Sequence, residues 1–201
     1  MRKLLCSASL LVAVFLYGCA TNMEPPVDQA TYRVTPWKQR KLTLADTTRW
    51  NIQGAMSITS RGKTQMGSFT WKQIDNRYAI DIYGPLNLGS IGIQGLPGRV
   101  TLFKPTGSYS ASTPEALMRQ QLGWYLPVSN MFYWVRGLPA SGASGKQMRD
   151  EYGHLVLLEQ QGWAIRFQSF QTQGNADLPR KILMDNQQLH VKLVINRWNL
   201  N

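Results

Sequence analysis

Leu16-Tyr17-Gly18-Cys19 places a cysteine behind a small residue at the end of a short apolar run, the pattern of a lipobox. In that motif the cysteine sulfur receives a diacylglyceryl group, the chain is cleaved before the cysteine, and the freed amine is acylated. Arg2 and Lys3 form the basic start and residues 4–17 the apolar core, shorter than the roughly 20 apolar residues a bilayer span needs. The expected boundaries are a signal peptide over residues 1–18, a lipidated N-terminus and flexible tether over 19–34, and one domain over 35–201. Thr21 to Ala30, with Pro25 and Pro26, is the polar part of that tether. Ala20 stands where an Asp would mark inner-membrane retention, which implies lipid anchoring through Cys19 on the periplasmic face of the outer membrane.

Little else in the chain has the residue types of covalent chemistry. Cys6 leaves with the signal, so no disulfide is expected. His154 and His190 fall in strand-like stretches, with no carboxylate read beside them, and are expected to be hydrogen-bonded or surface histidines and not metal ligands or bases. Ser141-Gly142-Ala143-Ser144-Gly145-Lys146 looks briefly like a phosphate loop. Ala140 stands at its first glycine position, however, and Gln147 where Ser or Thr is required, so it reads as a flexible loop. Asp and Glu total only 11, with no pair spaced as acid and base. No catalytic residue, metal or cofactor is expected. The formal net charge of +11 falls by two with the signal and stays strongly basic. The positives Arg61, Lys63, Lys72, Arg77, Arg99, Lys104, Arg119 and Arg136 are scattered, and location argues against nucleic acid, leaving either a merely solvated surface or a basic patch for an acidic protein partner or lipid head groups.

The elements that must position any site are mostly strands. Thr35 and Pro36 suit an N-cap and first helical position, and Trp37 with Leu44 mark the apolar face of a short helix. From Trp50 the period becomes two: Trp50, Ile52, Met56 and Ile58, then Phe69 and Trp71, then Tyr78, Ile80 and Ile82 alternate with polar residues across short turns. Residues 88–94, 99–104 and 108–111 continue this meander. Ser112-Thr113-Pro114-Glu115 resembles a capping box opening a helix that stops at Gly123, and Pro127 opens another, with Val128, Met131, Phe132 and Val135 on one face. The two-residue period returns in Val156 and Leu158, in Trp163, Ile165 and Phe167, and along Leu189 to Ile195. Some ten strands and two or three helices make an antiparallel sheet long enough to close, or nearly close, on itself. No internal repeat is visible, and a monomer is expected. Trp50, Met56, Phe69, Trp71, Tyr78, Trp163 and Phe167 would face inward, either filling the interior or walling a cavity.

Three segments carry a family resemblance: Tyr83-Gly84-Pro85-Leu86-Asn87-Leu88-Gly89, Gln121-Leu122-Gly123-Trp124-Tyr125-Leu126-Pro127-Val128 and Tyr133-Trp134-Val135-Arg136-Gly137-Leu138-Pro139. In this order behind a lipobox, they resemble the LolB family of outer-membrane lipoprotein receptors over essentially the whole mature chain. The resemblance implies a mainly β fold: an incomplete, half-open antiparallel barrel of about 11 strands with a short helical lid enclosing a hydrophobic cavity. It implies a receptor, not an enzyme, that accepts triacylated lipoproteins from the periplasmic carrier LolA. Delivery into the inner leaflet of the outer membrane would follow by non-covalent acyl-chain transfer. The family's membrane-delivery loop would carry Leu86, and the following Asn87-Leu88 brings in Leu88 as well. The acyl-chain cavity is expected from Met56, Phe69, Trp71, Ile80, Ile82, Trp124, Met131 and Leu138. An outer-membrane scaffold with a filled barrel, or an envelope hydrolase, are the alternatives. An apolar cavity would separate the first from the receptor, and a convergent polar triad would favour the second.

Overall fold

Alternation of apolar and polar residues over 49–60 can bury only one face of a strand, and the next two alternating segments fold back on it through two-residue turns. The computed structural model describes residues 31–84, 90–123 and 125–200. After helix α1 (Trp37–Asp46) come β1 (Arg49–Ser60), β2 (Lys63–Ile74), β3 (Arg77–Tyr83), β4 (Ile91–Leu96), β5 (Arg99–Lys104) and β6 (Gly107–Ala111). Helices α2 (Pro114–Leu122) and α3 (Val128–Trp134) interrupt the strands before β7 (Lys146–Arg149), β8 (Leu155–Gln160), β9 (Trp163–Gln173), β10 (Ala176–Asp185) and β11 (Leu189–Leu200).

All eleven strands join one antiparallel sheet in the order β6-β5-β4-β3-β2-β1-β11-β10-β9-β8-β7. The first and last strands of the chain are therefore neighbours at its centre, and β6 and β7 are its unpaired edges, so the barrel stays open. Between Gln53 and Gly54 the β1–β11 register shifts, a bulge that bends both strands. A Cβ on Gly54 would lie 1.9 Å from the Val194 carbonyl oxygen, so the close crossing there requires glycine.

The helices follow their sequence signals with small departures. Thr113 caps α2, its hydroxyl oxygen accepting from the Ala116 N–H at 3.2 Å, and Gly123 ends the helix in the left-handed region. Glu115 does not complete a capping box; its carboxylate accepts the Ser129 N–H at 2.9 Å and ties α2 to the first turn of α3. Pro36, not Thr35, is the N-cap of α1, because the Thr35 hydroxyl donates to the Arg33 carbonyl. In α3 the buried face is Val128, Met131, Trp134 and Val135, with Phe132 only half-buried. Val156 is likewise half-buried beside buried Leu155 and Leu158, because the β7–β8 register slips at Met148/Arg149 and skips it. Strand β10 carries no clean alternation, for bulges at Pro179 and Lys181 break its pairing with β9.

Two buried polar clusters fasten the N-terminal segment. Residues 31–34, read as the end of the tether, are docked: the Tyr32 hydroxyl donates to the Phe170 carbonyl at 2.7 Å, and the Thr35 N–H to Tyr152 O at 3.1 Å. Behind them Arg40 reaches Asp177 at 3.2 Å, and His154 sits between carboxylates, 2.8 Å from Asp150 and 3.0 Å from Asp177. The reading that His154 has no carboxylate beside it is thus corrected. Asp150 lies one turn-length earlier in sequence and its Oδ1 also accepts the His154 N–H, so a tight turn supplies one partner and the fold the other. His190 is exposed and bonded to Asp185. Arg136, counted among surface positives, is buried: its Nη1 donates to Leu44 O and Thr47 O at 3.0 and 2.9 Å, closing the C-terminus of α1. Burial pulls its guanidinium down to about 10.

Burial by itself raises the Asp177 carboxyl, but hydrogen bonds from His154 and Thr172 and the charge of Arg40 outweigh it and hold the group below the usual carboxylate range. A depressed carboxylate stabilises the fold above its ordinary pKa near 4 and loses that contribution as pH falls through the depressed value. Asp177→Asn should therefore cost about 3 kcal/mol in urea unfolding at pH 7, because it leaves buried Arg40 without its anion. The gap to the natural chain should close as the pH falls below about 4. A gap unchanged down to pH 2.5 would show that the carboxylate's charge is not what holds the segment.

Candidate functional site

On the concave face of the sheet the strand alternation turns Met56 and Ile58 of β1, Phe69 and Trp71 of β2, Ile80 and Ile82 of β3 and Ile91 and Ile93 of β4 inward. Met118 and Leu122 of α2, Leu126, and Val128 and Met131 of α3 cover them, with Leu193 of β11 at the side. Between these layers lies a cavity of about 60 Å³ lined only by apolar residues. The space is small, and with no polar residue in its wall it offers water no hydrogen-bond partner.

Six of the residues expected at an acyl site meet here: Met56, Phe69, Trp71, Ile80, Ile82 and Met131. Leu138 does not line the wall. It is buried in the core just past α3, its N–H bonded to Tyr133 O, where the left-handed Gly137 has already turned the chain away from the cavity. Trp124, Leu86, Leu88 and Cys19 lie outside the described residues. Sequence reasoning passed over Ile58, Ile91, Ile93, Met118, Leu122, Leu126, Val128 and Leu193. Their alternation was readable, but which inward residues face empty space was not.

Most of the large aromatic side chains fill the rest of the interior, and beside Phe69 and Trp71 this one region is walled by aliphatic residues and methionine. Trp50 packs against Trp71 and Trp198 with ring centroids 5.1 and 5.4 Å apart, and Trp134 lies 6.2 Å from Trp163. The Trp134 N–H donates to Gln160, whose amide also holds the 140–143 loop through Ala140 and Ala143. That loop is the former phosphate-loop candidate, and it is fastened as a structural corner. Trp71 marks a boundary. Its ring lines the cavity while its N–H donates to Gln73 at 3.0 Å, on the side of a second, polar cleft.

The wall is therefore built for apolar groups of variable shape. Methionine re-packs readily, and branched residues present smooth surface without hydrogen-bond demands. The buried ionisable cluster at His154 lies outside the cavity lining, and among the described residues no group of three or more His, Cys, Asp or Glu side chains is disposed to hold a metal. The cavity can exchange one apolar surface for another and offers no group for bond making.

Comparison with known proteins adds an independent line. The family model for LolB, "Outer membrane lipoprotein LolB", matches residues 48–198. The outer-membrane lipoprotein LolB of Coxiella burnetii (strain RSA 493 / Nine Mile phase I) is 44% identical over 199 residues, covering 98% of this chain and 94% of that protein. The outer-membrane lipoprotein LolB of Pseudomonas savastanoi pv. phaseolicola is 36% identical over 184 residues, covering 91% of this chain and 90% of that protein. A solved DUF1329 family protein from Desulfovibrio piger shares the fold with a TM-score of 0.55 at 8% identity, over 82% of this chain and 90% of that one.

The void can be enlarged to test its character. Met131→Ala should cost about 2–5 kcal/mol in stability, by loss of buried methylenes and of their contacts. The widened, still apolar cavity should gain affinity for xenon or benzene, read as chemical-shift changes confined to the lining methyl groups. Destabilisation without probe binding would mean that the lid collapses onto the sheet and the space is not retained.

Proposed function

Since the chain belongs to the LolB family of outer-membrane lipoproteins, we propose that it is anchored to the outer membrane through a lipid on Cys19. From there it accepts triacylated lipoproteins from LolA and passes them to the inner leaflet. The observation that carries this reading is the cavity, apolar on every side and roofed by α2 and α3. A triacylated cargo exposed to water costs tens of kcal/mol, at roughly 0.8 kcal/mol for each methylene. An acceptor must replace that loss with wall area, and Met56, Phe69, Trp71, Ile80, Ile82 and Met131 supply it.

At about 60 Å³ the cavity beneath the lid admits no full acyl chain. Acceptance therefore requires α2 and α3 to lift from the sheet, and the cargo's chains take over the contacts that the lid residues give up. The lid is suited to that exchange. Its packing on the cavity is apolar and non-directional, while few polar bonds hold it at its rim, among them Lys104 to Gln121 at 3.2 Å and Asn130 to Gln161. No nucleotide is needed: transfer runs downhill if the bilayer covers the chains better than the receptor, and the receptor better than the carrier.

Delivery is assigned, from the family resemblance, to the segment between β3 and β4, where the sequence sets Leu86 directly after a proline, a residue whose ring restricts φ. Inserted into the leaflet surface, Leu86 would gain roughly 1.5–3 kcal/mol and hold the opening against the membrane, with Leu88 able to share the task.

Purified chain lacking the lipid, made by Cys19→Ala, should take a lipoprotein from loaded LolA. Phe69→Glu should abolish acceptance, whereas Thr70→Glu, on the outer face one residue away, should accept normally; circular dichroism checks that both are folded. Equal behaviour of the two variants would remove the cavity from the mechanism. Leu86→Glu should accept cargo at the normal rate but lose most of its release into liposomes. Normal release by Leu86→Glu with failure by Leu88→Glu moves the role to Leu88, and normal release by both removes the loop.

A further inference from the structure

Beside the apolar cavity lies a second space of different chemistry. It is an open cleft of about 400 Å³ between α3 and the β2–β3 turn, and the two spaces share Trp71 and Val128 as their common wall. The cleft side of that wall is polar. Gln73, Asn76, Tyr78, Asn130 and Tyr133 line it with carboxamides and phenols, and no Lys or Arg is among its lining residues. Its one carboxylate, Asp75, is already engaged by Arg49 at 2.8 Å and by Thr48 at 3.0 Å. The Tyr78 hydroxyl lies buried beneath the cleft wall, without a hydrogen-bond partner among the described residues and within the field of the Glu115 carboxylate. The Tyr78 ring is pinned over Gly95, where a Cβ would come within 2.0 Å of it, so the hydroxyl is held in place and not free to swing to solvent.

Resting on the acyl-receptor reading above, we propose that this cleft seats the polar stem of the acylated cargo: the glyceryl ester oxygens and the first peptide units after the modified cysteine. An acylated lipoprotein is amphipathic over a few ångströms, apolar chains giving way at once to esters and amides. The protein offers the same succession across one tryptophan. The ring of Trp71 faces the chains, and its N–H and Gln73 begin the hydrogen-bonding side. Val128, the other half of the wall, opens α3, so lifting the lid joins cavity and cleft into one channel. Esters and amides are neutral, which suits a cleft of carboxamides and phenols without a cation. A phospholipid of the same chain length carries a phosphate, for which the lining offers no cation, Arg49 at the edge being already engaged by Asp75. The cleft thus selects lipoprotein over the phospholipid that surrounds an anchored receptor.

The test uses the mature chain with Cys19→Ala and three competitors for a fluorescent palmitate analogue. They are unlabelled palmitate, dipalmitoyl phosphatidylglycerol, and a tripalmitoyl-glyceryl-Cys-Ser-Asn-Ala lipopeptide. The lipopeptide should compete best. Tyr78→Phe, which removes only the hydroxyl, should weaken it about fivefold, as expected for one hydrogen bond. Ser129→Trp, which fills the cleft from its solvent side while keeping the backbone bond to Glu115, should weaken it more than tenfold. Palmitate should be unaffected by either variant. If both variants weaken all three competitors alike, or leave the lipopeptide unchanged while Phe69→Glu abolishes it, the stem assignment is overturned and the acyl cavity stands. If no competitor displaces the analogue from the unsubstituted chain, the acyl-receptor reading falls and this inference with it.

Discussion

The pairing of the first strand with the last is the constraint on which the rest of the structure depends. With β1 hydrogen-bonded to β11 at the centre of the sheet, the remaining strands fan outward by hairpins in both directions and end in two edges, β6 and β7, that never meet. The chain must nevertheless travel from one edge to the other, and residues 112–145 make that crossing. The path of least length runs over the concave face, so the two short helices that lie on it are a lid by topology. Such a central, end-to-end pairing closes a long loop before it is rewarded, which makes folding slower than in a helical domain of this size.

An apolar face covered by short helices, and not by another sheet, is held differently from the rest of the core. Within the sheet each strand is fixed by a ladder of backbone bonds. The lid is fixed mainly by side-chain burial, which is non-directional and tolerates replacement of one apolar surface by another. The two halves of the interior divide the work accordingly. The half around Trp50, Trp163, Phe167 and Trp198 is filled by interlocking rings and keeps the sheet curved. The half under α2 and α3 is walled by aliphatic residues and methionine with Phe69 and Trp71, and leaves a void.

The buried charges serve geometry more than stability. Arg40, Asp177, His154 and Asp150 come from α1, β10 and the β7–β8 turn, and Arg136 reaches from the end of α3 to the last carbonyls of α1. Apolar residues of equal volume would hold these elements together at less desolvation cost, but with less demand for one register. What the charges specify is where the N-terminal segment leaves the barrel. Gly153 contributes to the same seat: a Cβ there would meet the Thr35 carbonyl at 2.2 Å. The point of departure matters to the proposed anchoring, because Cys19 lies 12 residues before Thr31, and a domain held by a lipid there could reach no farther from the membrane than that stretch allows.

Local pattern made much of this protein legible from its sequence. The inward faces of β1, β2 and β3, the stop of α2 at Gly123 and the turn after α3 at Gly137 are all nearest-neighbour signals, written within a few residues. Six cavity residues were readable for the same reason: a two-residue period says which side chains share a face. Tertiary structure alone decided the rest. Whether an inward residue meets a ring or a void depends on side chains from seven elements at once, so Ile91, Ile93 and Leu193 line the cavity while Leu138 does not. The broken alternation of β10 hid a strand because its bulges are set by neighbours. Arg136 looked like one more scattered positive and His154 like a histidine without a carboxylate partner because Leu44 and Asp177 are distant in sequence. Periodicity is a property of one segment, whereas volume, register and charge pairing are sums over contacts that only the folded chain brings together.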